Sequence, residues 1–312
     1  MKIKLGYVAI SKSLDITSSK TMTYTEFSKS KDLNKLDNII IENLTNLEKI
    51  IDYNIKNNIH FYRLSSKLIP LATKEEVEFE YIKKYKHLYK RISKKINDSN
   101  MRVDFHPDQF CVLNSTKKEI VENSINILIH QYKILEALNI KNKIIILHIG
   151  SSVFGKENSI KRFINNFNKL PNYLKKCIAI ENDDKIYNVE DCLKISKILN
   201  IPIVLDYHHH ICNNCGDILN YIDDIFKTWQ FTPKIHFSSP KNQTKKEFRS
   251  HHDYINIDDF INFLNKIKDI NYDFDIMIEA KAKDEALFRL TRQLKYNDYE
   301  FIDETTFINK KN

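Results

Sequence analysis

The sequence predicts an α/β chain folded as a single (β/α)8 TIM barrel. Three observations predict it. Eight short apolar, β-branched runs recur, a longer amphipathic stretch follows each, and no break in composition divides the 312 residues into two domains. The doubly wound open sheet is the rival. It is disfavoured because the chain has only 4 glycines, with no G-x-G-x-x-G and no G-x-x-x-x-G-K-S/T cradle for phosphates.

The elements follow in order. The run Ile3–Val8 precedes a polar loop, Ser11 to Thr25, and a stretch from Leu36 to Asn57 with Ile40, Leu44, Leu47, Ile51 and Ile55 at helical spacing. Ile59–Leu64 is the second strand and Glu75 to Ile96 the second helix. Met101–Phe105 precedes the helix Lys117 to Leu138, and Lys143–His148 precedes Ser159 to Lys175. Cys177–Glu181 precedes Val189 to Leu199, and Pro202–Asp206 precedes Gly216 to Phe226. Lys234–Phe237 precedes Ile257 to Ile267, and Asp275–Glu279 precedes Asp284 to Lys295. The catalytic barrel therefore takes residues 1–295, and residues 296–312 read as a polar, peripheral C-terminal tail.

Composition excludes several classes. At 42% hydrophobic and 29% charged residues the chain is neither disordered nor collagen-like. No apolar run approaches the ~18 residues of a membrane span, and the N-terminus lacks the pattern of an export signal. Five cysteines, an odd number, then read as reduced thiols in a cytoplasmic protein. Cys212-x-x-Cys215 is weak as a zinc or redox signal, and two plain loop thiols explain it equally well. The chain is read as a monomer without a nucleotide cofactor. Lys plus Arg number 49 against 41 acids, a net +8 that suits a polyanion partner without requiring one.

The residues that close the strands carry the chemistry. His106, His148, Glu181, Asp206, His236 and Glu279 each end an apolar run, and His209 lies three residues beyond Asp206. In a barrel these ends share the face that holds active sites. One His after a strand is commonly a hydrogen-bonded core residue, and Glu181 and Glu279 could pair with Lys185 and Lys281. Six of eight strands ending this way argue instead for divalent cations, since so many carboxylates and imidazoles would otherwise repel or misprotonate. Zinc, manganese and iron all suit such ligands. Neighbouring metals suit phosphodiester hydrolysis, and sugar isomerisation by hydride shift is the competing chemistry. Lys241, Lys245, Lys246 and Arg249 follow the seventh strand on the same face, either as a solvated charge run or as phosphate contacts.

Several motifs in chain order resemble the ultraviolet DNA damage endonucleases, the UvsE/UVDE family of metal-dependent repair barrels. They include Leu5-Gly6-Tyr7-Val8-Ala9, Lys20-Thr21-Met22-Thr23-Tyr24, Phe61-Tyr62-Arg63-Leu64-Ser65-Ser66 and His106-Pro107-Asp108-Gln109-Phe110. They continue through Leu147-His148-Ile149-Gly150, Glu181-Asn182-Asp183, Asp206-Tyr207-His208-His209-His210, Pro233-Lys234-Ile235-His236-Phe237-Ser238, His251-His252-Asp253-Tyr254-Ile255 and Ile278-Glu279-Ala280-Lys281. The resemblance implies two or three divalent ions, manganese in preference, held by His106, His148, Glu181, Asp206, His209, His236, His251 and Glu279. It implies catalytic roles for Lys234, Glu279 and Tyr7, with Lys234 either carboxylated on its ε-nitrogen or an ordinary lysine paired with an acid. It implies that Gln109 and Phe110 fill the gap opposite a flipped photoproduct, and that Arg63, Ser11, Lys245, Lys246 and Arg249 meet damaged double-stranded DNA. The implied reaction is a nick immediately 5′ of the lesion.

Two departures stand out. Phe110 replaces the family's usual Tyr, which keeps the stacking face and loses a hydroxyl. Lys74 stands where a metal-binding His is expected after Pro70-Leu71-Ala72-Thr73, and an ammonium cannot ligate. The rivals are an abasic-site endonuclease, a metal-dependent sugar isomerase, and a damage-binding protein that Lys74 has disarmed.

Overall fold

The structure is a computed structural model that describes residues 1–74, 76, 77 and 79–310. Its eight parallel strands are β1 (Lys2–Val8), β2 (Phe61–Arg63), β3 (Arg102–Asp104), β4 (Ile145–His148), β5 (Ile178–Glu181), β6 (Ile203–Asp206), β7 (Lys234–Phe237) and β8 (Phe274–Ile278). They lie side by side in the order β3-β2-β1-β8-β7-β6-β5-β4. A parallel bridge between Phe105 and Ile145 joins the two ends of that series. Phe105 N donates to Ile144 O at 3.1 Å and Ile146 N to Phe105 O at 2.9 Å, so the sheet closes on itself as a barrel. Strands β5, β6, β7 and β8 are buried at every residue; β5 and β6 are apolar up to the carboxylate that ends each, while β7 and β8 also carry Lys234, His236 and Asp275 inside the barrel.

Helices separate the strands. They are α1 (Tyr24–Ser30), α2 (Leu33–Lys56), α3 (Tyr81–Lys84), α4 (Lys86–Asp98), α5 (Lys118–Ala137) and α6 (Lys156–Asn168). The second half has α7 (Asn172–Lys175), α8 (Val189–Leu199), α9 (Tyr207–Cys212), α10 (Ile222–Lys227), α11 (Ile257–Lys266) and α12 (Lys283–Tyr296). The long helix expected from residue 159 to 175 is two, because Pro171 has no N–H to continue α6 and instead caps α7. In the helix expected from residue 75, positions 75 and 78 lie outside the described residues, and helical structure begins only at Tyr81. Among the described residues no helix is long and apolar enough to cross a membrane.

The barrel axis is charged from bottom to top. At the N-terminal end Arg102 donates to Asp275 Oδ2 at 2.7 Å and lies about 5 Å from the rings of Phe61, Trp229 and Phe231. Above it Lys234 Nζ donates to Asp104 Oδ2 at 2.6 Å, both side chains fully buried. Above that pair lies the mouth, where the histidines and remaining carboxylates meet.

The segment after residue 296 is not peripheral. Strand β2 pairs with β1 only at Tyr7 and Val8, which leaves the backbone of Lys2 to Lys4 open on that side. β10 (Thr306–Ile308) fills this gap as an antiparallel partner, and β9 (Glu300–Phe301) pairs with β10. Phe307 is fully buried against Tyr299 and Phe301. The expectation of a polar, peripheral tail misses β9 and β10 because two strands this short carry no readable periodicity, while the unpaired edge of β1 demands a partner. Phe307→Ala should destabilise the protein by about 3–5 kcal/mol in denaturant unfolding; a loss below ~1 kcal/mol would show that the segment merely lies on the barrel.

Candidate metal centre at the barrel mouth

Parallel register sets the polar strand ends level. His148 lies opposite Glu181, and Asp206 opposite His236. Glu181 is the hub. Its Oε2 is 2.6 Å from His106 Nε2 and 3.8 Å from His148 Nε2. Its Oε1 is 2.9 Å from His236 Nδ1 and 3.7 Å from His209 Nδ1. Glu279 joins through Oε1, 3.2 Å from His236 Nδ1, and Oε2, 3.8 Å from His251 Nδ1. Three overlapping groups have ligand atoms within 4.8 Å of one another: His106, Glu181 and His236; Glu181, Asp206 and His209; Asp206, His236 and Glu279. Shared members mean that cations bound there would be neighbours.

Electrostatics fit the same reading. Burial drives the Asp206 carboxyl up to about 7 against the pull of His209. Burial pulls His209 down, but Asp206, Glu181 and Glu279 outweigh it and hold the imidazole up at about 9. Burial takes His236 down to about 4. Burial opposes the ionised form of Glu181, yet His236, His148 and His106 hold it well below the usual carboxylate range. Asp206 Oδ2 and His148 Nδ1 are buried without a hydrogen-bond partner. A largely buried cluster of carboxylates and imidazoles with unpartnered lone pairs is the donor set that hard or borderline divalent ions take, so the residues fit such a group.

The protein supplies two cations of its own. Arg63 Nη2 lies 2.7 Å from Glu279 Oε1 and 2.7 Å from His236 Nε2, and its Nε is 4.0 Å from Asp104. The guanidinium is buried and faces inward, so the expectation that Arg63 meets DNA is corrected. Position 63 pairs with Asp104 across the β2–β3 register, which aims both side chains at the axis. Lys234 is buried beneath the cluster, with its Nζ 2.6 Å from Asp104 Oδ2. Burial takes it down to about 7 although Asp104 resists.

A family model described as UV-endonuclease UvdE matches residues 3–308. The chain belongs to this family. Among curated UvdE relatives, a UV DNA damage endonuclease of Bacillus cereus (strain B4264) is 43% identical over 303 residues, covering 94% of this chain and 95% of the relative. The crystal structure of SacUVDE matches at TM-score 0.86 and 33% identity, over 95% of this chain and 99% of that one. Endonuclease IV from Thermus thermophilus, at TM-score 0.55 and 14% identity over 80% of this chain and 94% of that one, shares the fold alone. UvdE membership makes the chain an enzyme that acts on DNA, and the match extends through β10.

The other expected UvdE site residues divide between interior and rim. Tyr7 and Ser11 do not reach the rim. Tyr7 is fully buried and donates to Asn54 Oδ1 at 2.8 Å; Ser11, 1% exposed, donates to Asp284 Oδ2 at 2.7 Å. Both partners come from helices distant in sequence, α2 and α12, which local reading could not supply. Gln109 and Phe110 stand exposed beyond His106, as do Lys245 and Lys246 beyond β7. Arg249 is partly engaged by Asp184 at 3.6 Å. Lys74 is exposed, its Nζ 5.4 Å from the centre of the Tyr24 ring.

Sequence reasoning misses two residues. Asp104 neutralises Lys234, and its signal is a charge inside the apolar run Val103-Asp104-Phe105. Asp284 also accepts from Lys12 N at 2.6 Å and Tyr53 OH at 3.0 Å, pinning the loop after β1; nothing local marks it. The inward turn of Arg63 has a measurable consequence. Arg63→Met should destabilise chelator-treated protein by on the order of 3–5 kcal/mol and lower its thermal midpoint accordingly, because Glu279 loses its buried counter-charge. An unchanged midpoint with weakened DNA binding would restore Arg63 to the DNA surface.

Proposed function

We propose that the chain is a metal-dependent repair endonuclease that nicks damaged double-stranded DNA immediately 5′ of ultraviolet photoproducts, leaving a 3′-hydroxyl. The observation that carries this reading is the trio of overlapping ligand groups at the mouth of a UvdE-family barrel. Two or three divalent ions, manganese first, would be held by Glu181, Asp206, His209, His236, Glu279, His106, His148 and His251. Bound ions would polarise the phosphodiester and make an attacking water more acidic.

The chain's own residues do the rest. Glu181, shared by two groups, fixes the spacing of the site. Arg63 orients Glu279 and His236 from inside, and the Lys234–Asp104 pair closes the floor against water. Gln109 and Phe110 enter the duplex where damaged bases stack poorly and flipping costs least. Lys245 and Lys246 hold the phosphates without reading sequence. The enzyme works as a monomer in the cytoplasm, where its five unpaired cysteines stay reduced.

The decisive test is nicking of irradiated plasmid with manganese and with chelator, run beside an abasic duplex. Glu279→Gln should cut nicking by two or more decades, roughly 3 kcal/mol of barrier. Near-normal nicking by a folded variant with unchanged metal content would remove Glu279 from the site. Binding without nicking by the native chain would favour a damage-binding protein.

The rim residues should separate into two behaviours. Phe110→Ala should lose stacking worth about 1–3 kcal/mol, more on irradiated than on plain duplex. Lys245→Ala with Lys246→Ala should weaken all duplexes alike and flatten the salt dependence by roughly one unit for each phosphate no longer neutralised. Equal losses on both substrates for Phe110→Ala would make that side chain structural.

A further inference from the structure

The loop between β4 and α6 carries a second exposed aromatic at the same end of the barrel. Phe154 is 77% exposed, a little more than Phe110 at 74%. Its backbone is left-handed, φ +62°, a conformation that bulky side chains rarely adopt. Such a ring helps neither the core nor the local backbone, so packing gives no reason for it. Neither is it a loose tip.

The support beneath it is stiff and shared. Arg162 of α6 donates from Nη2 to Val153 O and from Nε to Asn114 O at 2.9 Å. Ser159 Oγ also donates to Val153 O at 3.1 Å, and Asn158 Nδ2 to Phe154 O at 2.9 Å. Asn114 belongs to the loop that carries Phe110, four residues earlier, and is fully buried. Its Nδ2 donates to Ser151 O at 2.6 Å. It lies so close to Gly150 (φ +110°) that a Cβ there would collide with its Oδ1. Asn114 and Arg162 therefore tie the loops after β3 and β4 into one unit, with one exposed phenyl on each and His106 and His148 at their bases.

We propose that Phe154 is a second stacking residue, which receives the π face of an unstacked nucleobase of the damaged duplex while Phe110 receives another. The proposal rests on the DNA reading above. A photoproduct joins two adjacent pyrimidines, so extruding it leaves two bases without partners, and of the pair Gln109 and Phe110 only Phe110 offers an aromatic face. Stacking needs a flat, preorganised ring and tolerates any base. A strained backbone held by hydrogen bonds from Asn158, Ser159 and Arg162 keeps such a ring in place, and strain of this kind concentrates at working sites.

The test uses a duplex with a defined thymine dimer, 2-aminopurine in the two positions opposite it, and the undamaged duplex, titrated in chelator to prevent nicking. Native protein is compared with Phe154→Ala, Phe154→Tyr and Phe154→Gly. Phe154→Ala should lose about tenfold in affinity for the dimer duplex with little change on the undamaged one, and should alter the 2-aminopurine signal at one position. Phe154→Tyr should restore both. Phe154→Gly, which accepts the left-handed backbone, should melt no lower than native while binding like Phe154→Ala. An unchanged affinity, an equal loss on both duplexes, or a lowered melting point for Phe154→Gly would overturn the assignment. If native protein itself shows no preference for the dimer duplex, the DNA-damage reading falls and takes this inference with it. A native preference that survives Phe154→Ala sinks this inference alone.

Discussion

Everything at the mouth of this barrel depends on balancing buried negative charge. Asp104, Glu181, Asp206 and Glu279 converge on one axis, three of them almost entirely removed from solvent. Carboxylates taken out of water at this density hold together only beside cations. Arg63 and Lys234 serve two of them, and an imidazolium at His209 serves a third. Strand register is therefore an electrostatic requirement here, since a slip of one residue would turn each of these groups from the axis into the helical layer.

Much of this was legible in the sequence, for a reason specific to parallel barrels. A strand buried on both faces is spelled as an uninterrupted apolar run, and the residue that ends it is already at the working face. Ile144-Ile145-Ile146-Leu147 followed by His148, and Ile178-Ala179-Ile180 followed by Glu181, marked both element and site at once. What stayed hidden depends on partners far along the chain. Tyr7 and Ser11 sit beside the first strand's working end, yet Asn54 and Asp284 draw them inward. Arg63 ends a strand like the others, but an arginine there reads equally well as a DNA contact or an internal counter-ion. Only the placement of Glu279 and Asp104 decides. Phe154 escaped because a single exposed aromatic in a loop has no pattern.

The site thus has two physically different layers. Below, buried charges are held by hydrogen bonds and ion pairs to one another. Above, Gln109, Phe110, Lys245 and Lys246 stand in solvent on loops, where side chains can meet a long, charged and deformable ligand. Asn114 and Arg162 connect the layers, passing the rigidity of the strands to the rim through hydrogen bonds to backbone oxygens.

The antiparallel pairing of Thr306–Ile308 with Lys2–Lys4 has a consequence for biosynthesis. The strand that covers this part of the edge of β1 is made some 300 residues after β1 itself. At ordinary elongation speeds that is a delay on the order of 15–60 s. Throughout it the nascent chain carries an uncapped β edge with Ile3 and Leu5 beside it. Escape from aggregation during that interval then depends on early packing by the helices that follow, or on a chaperone that occupies the edge until its partner arrives.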